Sequence, residues 1–245
     1  MAAAPMEPHR IQPIGNSADP AAAWASVREI CCATALSGAP LPDGGRWPFF
    51  GELWVGPYQR YLPDWTFVSV DRQGRVQGYI TLCPDTRALE RRLKFMFRPG
   101  LALALALKRY PMTLDARNFL KRWLGRQPSP ESRFPKDLWS KVHRDYPAHL
   151  HMNLEASARG TGAGRALCQA GFQRLREAGV PGIHLLCGDA PVGFYSKNGF
   201  EILHSVEWKP GVRVYLMARN LGLERVADTQ ATRNAQNLGS EWPIR

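Results

Sequence analysis

Apolar and polar positions along this chain switch period several times, with glycine, proline and aspartate marking the breaks. His9–Ile14 alternates weakly, as a first strand would. Ser17 or Asp19 then precedes Pro20; a capping side chain followed by proline in the first turn predicts a helix to about Ala35. Ser37–Gly51 is rich in glycine and proline and reads as loop, and Glu52–Tyr61 as a short aromatic helix. Thr66–Val70 and Arg75–Leu82 have strand character and flank Asp71-Arg72-Gln73-Gly74, which is turn chemistry, so together they predict an antiparallel hairpin.

From Pro84 to Tyr146 the pattern changes. Helices are expected around Arg87–Phe97 and Leu101–Tyr110, and Gly125–Phe134 reads as loose. Nothing in residues 84–146 looks like a core of its own, which makes the segment an insertion between two strands of one sheet. Ala148–Leu154 resumes as a strand. Gly162–Ala178 follows as a helix, with Leu167, Cys168, Gly171, Leu175 and Ala178 on one face and Gly179 placed for a left-handed cap. Gly182–Cys187 is a further strand and Pro191–Asn198 a short helix. Phe200–Trp208 and Val212–Met217 make a second hairpin across Lys209-Pro210-Gly211. The order predicts an α/β chain with one domain over residues 9–221 and a polar tail over 222–245.

Composition narrows the function. The 245 residues are 44% hydrophobic, ample for one sizeable core. Of a net charge of +11, residues 84–145 hold fifteen Lys/Arg against six Asp/Glu. Such a field draws acidic partners. Its cations are not interleaved with aromatics as in single-strand binders, however, so a solvated basic surface is the plainer reading and nucleic acid is not the expected partner. The five cysteines follow no ligand spacing and read as reduced thiols, so no metal site is expected. The longest apolar run, Leu101–Leu107, has seven residues. A membrane span needs about 20. Met1–Pro13 lacks the apolar stretch of an export leader, and a cytoplasmic location follows as the expectation.

The chemistry concentrates between Leu150 and Arg165. A strand ends, Gly160, Gly162 and Gly164 fall within five positions, and a helix begins at once. Glycines there let backbone N–H groups converge, and the helix adds its own unpaired N–H groups and positive dipole end. With Arg159 and Arg165 on either side, a diphosphate is the natural guest. A tight turn of purely structural use is the alternative. A Walker loop is excluded because no Gly-Lys-Ser/Thr follows, and the glycine spacing does not suit a dinucleotide fingerprint. On the preceding strand, His149, His151 and Asn153 share one face, where a strand covered on both sides should be apolar. They suggest a lined cleft. His151 is the candidate general base, since an imidazole titrates near neutrality; a histidine buried against a backbone carbonyl is the rival reading.

Arg159-Gly160-Thr161-Gly162-Ala163-Gly164 resembles the acetyl-CoA motif of the GNAT superfamily, Arg/Gln-x-x-Gly-x-Gly/Ala. Gly193-Phe194-Tyr195-Ser196-Lys197-Asn198-Gly199-Phe200 is similar to that superfamily's Phe-Tyr-x-x-x-Gly-Phe element. The stretches Gly51–Tyr58, Pro84–Arg87 and Tyr146–His151 look like a bacterial subgroup related to the C-terminal acetyltransferase-like domain of O-GlcNAcases. The likeness runs over roughly His9–Leu221.

This resemblance implies a GNAT fold: a single mixed, mostly antiparallel sheet flanked by helices, with the helical insertion between its third and fourth strands. It implies acetyl-CoA as cofactor, its diphosphate on Arg159, Gly160, Thr161, Gly162, Ala163, Gly164 and Arg165, and its pantetheine arm on backbone groups of Met152 and Leu154. Phe194 belongs to the cofactor-binding set, and Tyr195 becomes the acid that protonates the departing thiolate; a tyrosine merely packed at the helix end is the alternative. Two departures stand out. Asn153 occupies a position where the subgroup often carries Asp, and Gly188 one where many members place a pantetheine-binding Asn, with Asp189 as a partial substitute. The expected reaction is direct transfer of acetyl to the amine of a small molecule or peptide, with no membrane partner and a homodimer as the expected assembly. A non-catalytic acetyl-CoA-binding module is the other reading that Asn153 prompts.

Overall fold

A computed structural model describes residues 9–36, 38–124 and 129–222. Its strands are β1 (Arg10–Pro13), β2 (Thr66–Val70), β3 (Val76–Cys83), β4 (Ala148–Leu154), β5 (Gly182–Cys187), β6 (Glu201–Lys209) and β7 (Val212–Asn220). They form one mixed sheet in the order β1-β2-β3-β4-β5-β7-β6. Every neighbouring pair is antiparallel except β4 and β5, which run parallel. This is the expected α/β architecture, and the insertion lies between the third and fourth strands.

Local chemistry accounts for the element ends. Helix α1 (Pro20–Ala33) starts where the Asp19 carboxylate accepts the N–H groups of Ala21 and Ala22. In the β2–β3 turn the Asp71 carboxylate accepts the N–H groups of Gln73 and Arg75, and Gly74 takes φ +82°. Two short helices follow α1: α2 (Trp47–Trp54) and α3 (Gly56–Tyr61). The first begins inside the stretch expected to be loop. Pro48 reads as a breaker but sits in the helix's first turn, where its missing N–H costs nothing, and Phe49 and Phe50 are buried behind it.

The insertion is more ordered than its sequence suggests. Helix α4 (Thr86–Arg92) passes through a π-helical turn (Leu93–Phe97) into α5 (Arg98–Ala106). The wider turn accommodates Pro99, whose absent N–H would interrupt the ladder there. Two helices that the pattern does not announce follow, α6 (Leu114–Leu124) and α7 (Lys136–Asp145). Both are charge-rich with a narrow apolar stripe, which hides their period in a basic segment. The insertion's buried residues pack on the rest of the chain. Phe97 and Leu101 pack on Phe49 of α2, and Phe134 and Val142 on Leu216 of β7. Gly125 to Pro128, part of the stretch read as loose, and 223–245 of the expected tail lie outside the described residues.

Helix α8 (Ala163–Glu177) covers one face of the sheet. Leu167, Cys168, Phe172 and Leu175 lie on Ile80, Leu82, Leu150 and Ile183, and a Cβ on Gly171 would stand 3.0 Å from Leu82, so glycine sets that close approach. The helix ends in the expected left-handed cap, Gly179 at φ +73° with the Val180 N–H on the Leu175 carbonyl. The opposite face carries α1, with Trp24, Val27, Ile30 and Cys31 against Val68, Val70, Tyr79 and Tyr58. Helix α9 (Val192–Lys197) follows β5. Among the described residues no helix is long and apolar enough to cross a membrane.

Candidate active site

The parallel pair at the centre of the sheet opens. β4 is held by β3 at six positions, from Cys83↔His149 to Gly78↔Leu154, and β5 is held by β7 from Gly182 to Cys187. Between β4 and β5 only Ala148↔Ile183 and His149↔His184 are paired. Each strand keeps its antiparallel partner while the two part beyond His149. The Glu155 N–H bonds the Gln77 carbonyl, which sets the alternation of β4: its odd positions turn their backbone groups toward β3. The N–H and C=O groups of Leu150, Met152 and Leu154 therefore point into the gap, and of these the Leu154 carbonyl accepts Arg159 Nε at 3.2 Å.

The gap leads to the glycine turn. Gly160 and Gly162 have φ of +77° and +94°, and Gly162 is the N-cap of α8. A side chain is strained at either position. Thr161 Oγ1 donates to the Ala158 carbonyl at 2.6 Å and closes the turn from inside. At the start of α8 the Ala163 N–H donates to Thr161 Oγ1 at 3.5 Å, while the N–H groups of Gly164 and Arg165 have no carbonyl one turn back and lie at the helix's positive end. A Cβ on Gly164 would lie 3.2 Å from the Phe194 ring, so glycine here seats Phe194 against the turn.

The two arginines differ in what they do. Arg159 bonds the carbonyls of Leu154 and Gly38, tying the turn to the loop after α1, so it braces the site rather than standing free beside it. Arg165 is exposed at the start of α8. Asp189, beyond β5, accepts the Tyr215 hydroxyl at 2.9 Å. Tyr195 is buried beneath α8 among Phe194, Phe172 and Phe200. Its hydroxyl makes no hydrogen bond among the described residues, and burial pushes its pKa above the ordinary phenol value.

On the other side of the sheet a cleft of about 640 Å³ reaches the point where the strands separate. Its walls are Trp54 and Tyr58 from α2 and α3, Thr86 and Glu90 from α4, and Trp139 and His143 from α7; its floor is His149 and His151 of β4 with His184 of β5. The Thr86 hydroxyl has one proton and donates it to the Pro147 carbonyl at 2.8 Å, so at 2.7 Å it accepts from His149 Nδ1. His149 Nε2 is then the acceptor for the Tyr58 hydroxyl at 2.8 Å. His184 Nδ1 donates to the Tyr146 carbonyl at 2.6 Å. Both rings are thereby fixed in a neutral tautomer, and burial pulls their pKa values down to about 3 and about 4.

His151 stacks on Trp54 with centroids 5.8 Å apart. Its Nδ1 lies 3.3 Å from the Tyr79 hydroxyl, which accepts Asn153 Nδ2 at 3.0 Å, and Asn153 Nδ2 is 3.4 Å from its Nε2. Burial lowers its pKa to about 4. The neutral-range titration assumed from the sequence is thus corrected: the ring is neutral at pH 7, and a weak base. Burial also lowers His143. Among the described residues no group of three or more His, Cys, Asp or Glu side chains could hold a metal ion.

His149 and His151 line the cleft, while Asn153 stands behind them against the Tyr79 hydroxyl and His151; Met152, Leu154, Gly162, Gly164 and Phe194 lie along the gap. Tyr195 stands on the α8 side of the sheet, away from His151. Trp54, Tyr58, Tyr79, Thr86, Trp139, His143 and His184 are not singled out as site residues by the sequence, because they come from six separate elements; the local signals are the aromatic-rich Glu52–Tyr61 and the stretches Gly51–Tyr58 and Pro84–Arg87.

No protein-family model matches the chain. A solved structure described as SsHAT is 25% identical over 87% of this chain and 98% of its own, with a TM-score of 0.61. A protein from Corynebacterium glutamicum described as histone acetyltransferase HPA2 and related acetyltransferase is 17% identical over 89% of this chain and 99% of its own, TM-score 0.52. An N-acetyltransferase from Staphylococcus aureus Mu50 is 12% identical over 88% and 99%, TM-score 0.50. At those identities the last two establish a common fold.

Proposed function

We propose that the chain is a GNAT-type N-acetyltransferase that moves acetyl from acetyl-CoA to a primary amine by direct transfer with both partners bound. The observation that carries this reading is the opened β4–β5 pair, which joins the glycine turn at one end to the cleft at the other. The backbone groups of Met152 and the N–H of Leu154, which face the gap, suit the amides of a pantetheine arm, and the outward N–H groups of the turn and α8 suit a diphosphate. Bound there, acetyl-CoA would supply an acetyl thioester.

The chain's own residues then have three tasks. N–H groups of the gap-facing edge near Leu154 stabilise negative charge on the carbonyl oxygen. Tyr195 holds a proton at an otherwise unbonded hydroxyl for the leaving thiolate. His151, neutral and paired with Asn153 through Tyr79, orients the amine and takes its proton only as the amine becomes a strong acid on bond formation. None of the five cysteines lies in either motif, in keeping with transfer without an acyl-enzyme. Gly51–Tyr58 and Tyr146–His151, the stretches that look like the O-GlcNAcase-related subgroup, supply Trp54, Tyr58, His149 and His151 of the cleft, which favours that subgroup. The free thiols agree with a cytoplasmic location.

Asn153 and the depressed His151 favour one second reading, a module that binds acetyl-CoA without turnover. Both readings share one test. Acetyl-CoA at 100 times its Kd should stabilise the protein by about 2.7 kcal/mol in thermal unfolding. Gly162→Val should abolish the shift, since φ +94° at the N-cap tolerates no β-branch. Absence of any shift at millimolar acetyl-CoA refutes both. Release of free thiol on adding an amine separates them.

A further inference from the structure

The cleft contradicts the charge of the molecule that contains it. The chain is +11 overall, and the insertion that roofs the cleft is strongly basic, yet among the described residues no Lys or Arg lines it. Its lining carboxylates are Glu90 on α4 and Glu131 near the start of α7. The histidines around it add no charge at pH 7, because His149, His151 and His184 are neutral. Two indoles line it, each stacked on an imidazole: Trp54 on His151, and Trp139 on His143 at 5.4 Å and 26°. Trp139 is pinned by its Nε1, which donates to the Glu131 carbonyl at 3.0 Å, and Leu53, Leu89 and Leu93 complete an apolar lining. At about 640 Å³ the space is that of a small-molecule site and exceeds what one lysine side chain would fill.

Resting on the acetyl-transfer reading, we propose that the acceptor is a small cationic amine carrying a flat aromatic body and no carboxylate or phosphate near its nitrogen. Glu90 and Glu131 draw the ammonium to the mouth, and once the amine is docked its aromatic body packs against the indoles of Trp54 and Trp139. The nitrogen reaches the parting strands beside His151. A carboxylate beside the nitrogen would enter a cleft whose described lining holds two carboxylates and no Lys or Arg, which disfavours α-amino acids.

The test uses 2-phenylethylamine, phenylalanine and n-butylamine as matched probes in a thiol-release assay, with acetyl-CoA binding measured separately by thermal shift. Phenylethylamine should turn over with the lowest KM, and phenylalanine should be at least ~100-fold poorer in kcat/KM, the cost of one unpaired buried charge. Glu90→Gln with Glu131→Gln should raise the phenylethylamine KM roughly 3- to 10-fold with kcat retained, as expected for two partly exposed carboxylates. Phenylalanine used as well as phenylethylamine overturns the proposal, as does a KM unmoved in the double variant. If acetyl-CoA binds but no amine is acetylated, the transfer reading fails separately, and equilibrium binding of phenylethylamine decides: binding weakened by Trp54→Ala upholds the proposal, and no binding overturns it. Trp54 is half exposed, so that variant should fold.

Discussion

Asn153→Asp should convert His151 from a bystander base into an effective one. The amide of Asn153 lies 3.0 Å from the Tyr79 hydroxyl and 3.4 Å from His151 Nε2. A carboxylate of the same shape would put a negative charge about one hydrogen bond from the imidazole. Two unit charges at ~4 Å attract by about 4 kcal/mol at an effective dielectric constant near 20, or roughly three pKa units. The carboxylate also loses hydration, so about half that gain is the realistic expectation. His151 would rise from about 4 into the range of roughly 5.5 to 7, where a base is most useful at neutral pH.

The fold should tolerate the change. Asn153 is half-buried, and the Tyr79 hydroxyl, which now accepts from it, can turn and donate to a carboxylate. A loss of about 1 kcal/mol in stability is the upper expectation for exchanging one hydrogen bond. In the parent, a primary amine of pKa ~10 is only about one part in a thousand free base at pH 7, so kcat/KM should climb with pH without an enzyme limb near neutrality. The variant should add a limb between roughly pH 5.5 and 7 and gain about 10- to 100-fold at pH 7. The assay is kcat/KM against pH alongside an NMR titration of the His151 ring. A ring still titrating near 4 in a folded variant refutes the electrostatic argument. A ring that rises while the rate stays flat refutes His151 as the group that takes the proton.

Tyr195→Phe removes only a hydroxyl that bonds nothing among the described residues, so acetyl-CoA binding should persist while turnover falls by about 10² to 10⁴; unchanged turnover would assign the proton to water instead. Acid should destabilise the protein in a defined window. His149, His151 and His184 are held neutral in the fold at about 3, 4 and 4 but titrate near 6.5 when unfolded. Folded pKa values below the unfolded one make the unfolded chain the better proton binder at low pH. Stability is therefore complete above ~6.5 and is lost as pH falls through 6.5 toward 4, by up to a few kcal/mol per ring. Urea midpoints between pH 7 and 4 measure this, and a flat profile would show that the rings are hydrated. Asn153→Asp should shallow the slope.

What was legible in the sequence follows from where each signal resides. The strands, α1, α8 and both hairpins are written locally, in Asp19-Pro20, in Asp71–Gly74 and in the spacing of Leu167, Gly171 and Leu175. The glycine turn is equally local, since Gly160 and Gly162 announce positive φ in their own residue type. The cleft is not. Its imidazoles at His143, His149 and His184 are brought together by strand pairing and by the docking of α7, and no spacing along the chain reports that. Burial is likewise a property of the assembled fold, which is why His151 reads as a neutral-range base in sequence and sits near 4 in place. Arg159 shows the converse: its type and position suggest a phosphate ligand, while its bonds to the Leu154 and Gly38 carbonyls show a brace.

The opening between β4 and β5 also has an energetic logic. A parallel pair has no hairpin to hold it shut, and here each strand is secured along its other edge, β4 by β3 and β5 by β7. The sheet can therefore leave the backbone groups of Met152 and Leu154 without strand partners and still keep its order. Closing the gap would gain about 1 kcal/mol per hydrogen bond formed. Arg159, bonded to the Leu154 and Gly38 carbonyls, ties the end of β4 to the loop after α1. The N–H groups of Met152 and Leu154 on that edge have no strand partner. Replacing Arg159 should thus weaken acetyl-CoA binding by loosening the gap rather than by removing a phosphate contact. The loss should then be nearly as large for a pantetheine fragment without the diphosphate as for the whole cofactor. A loss confined to the diphosphate-bearing ligand would return Arg159 to the phosphate role.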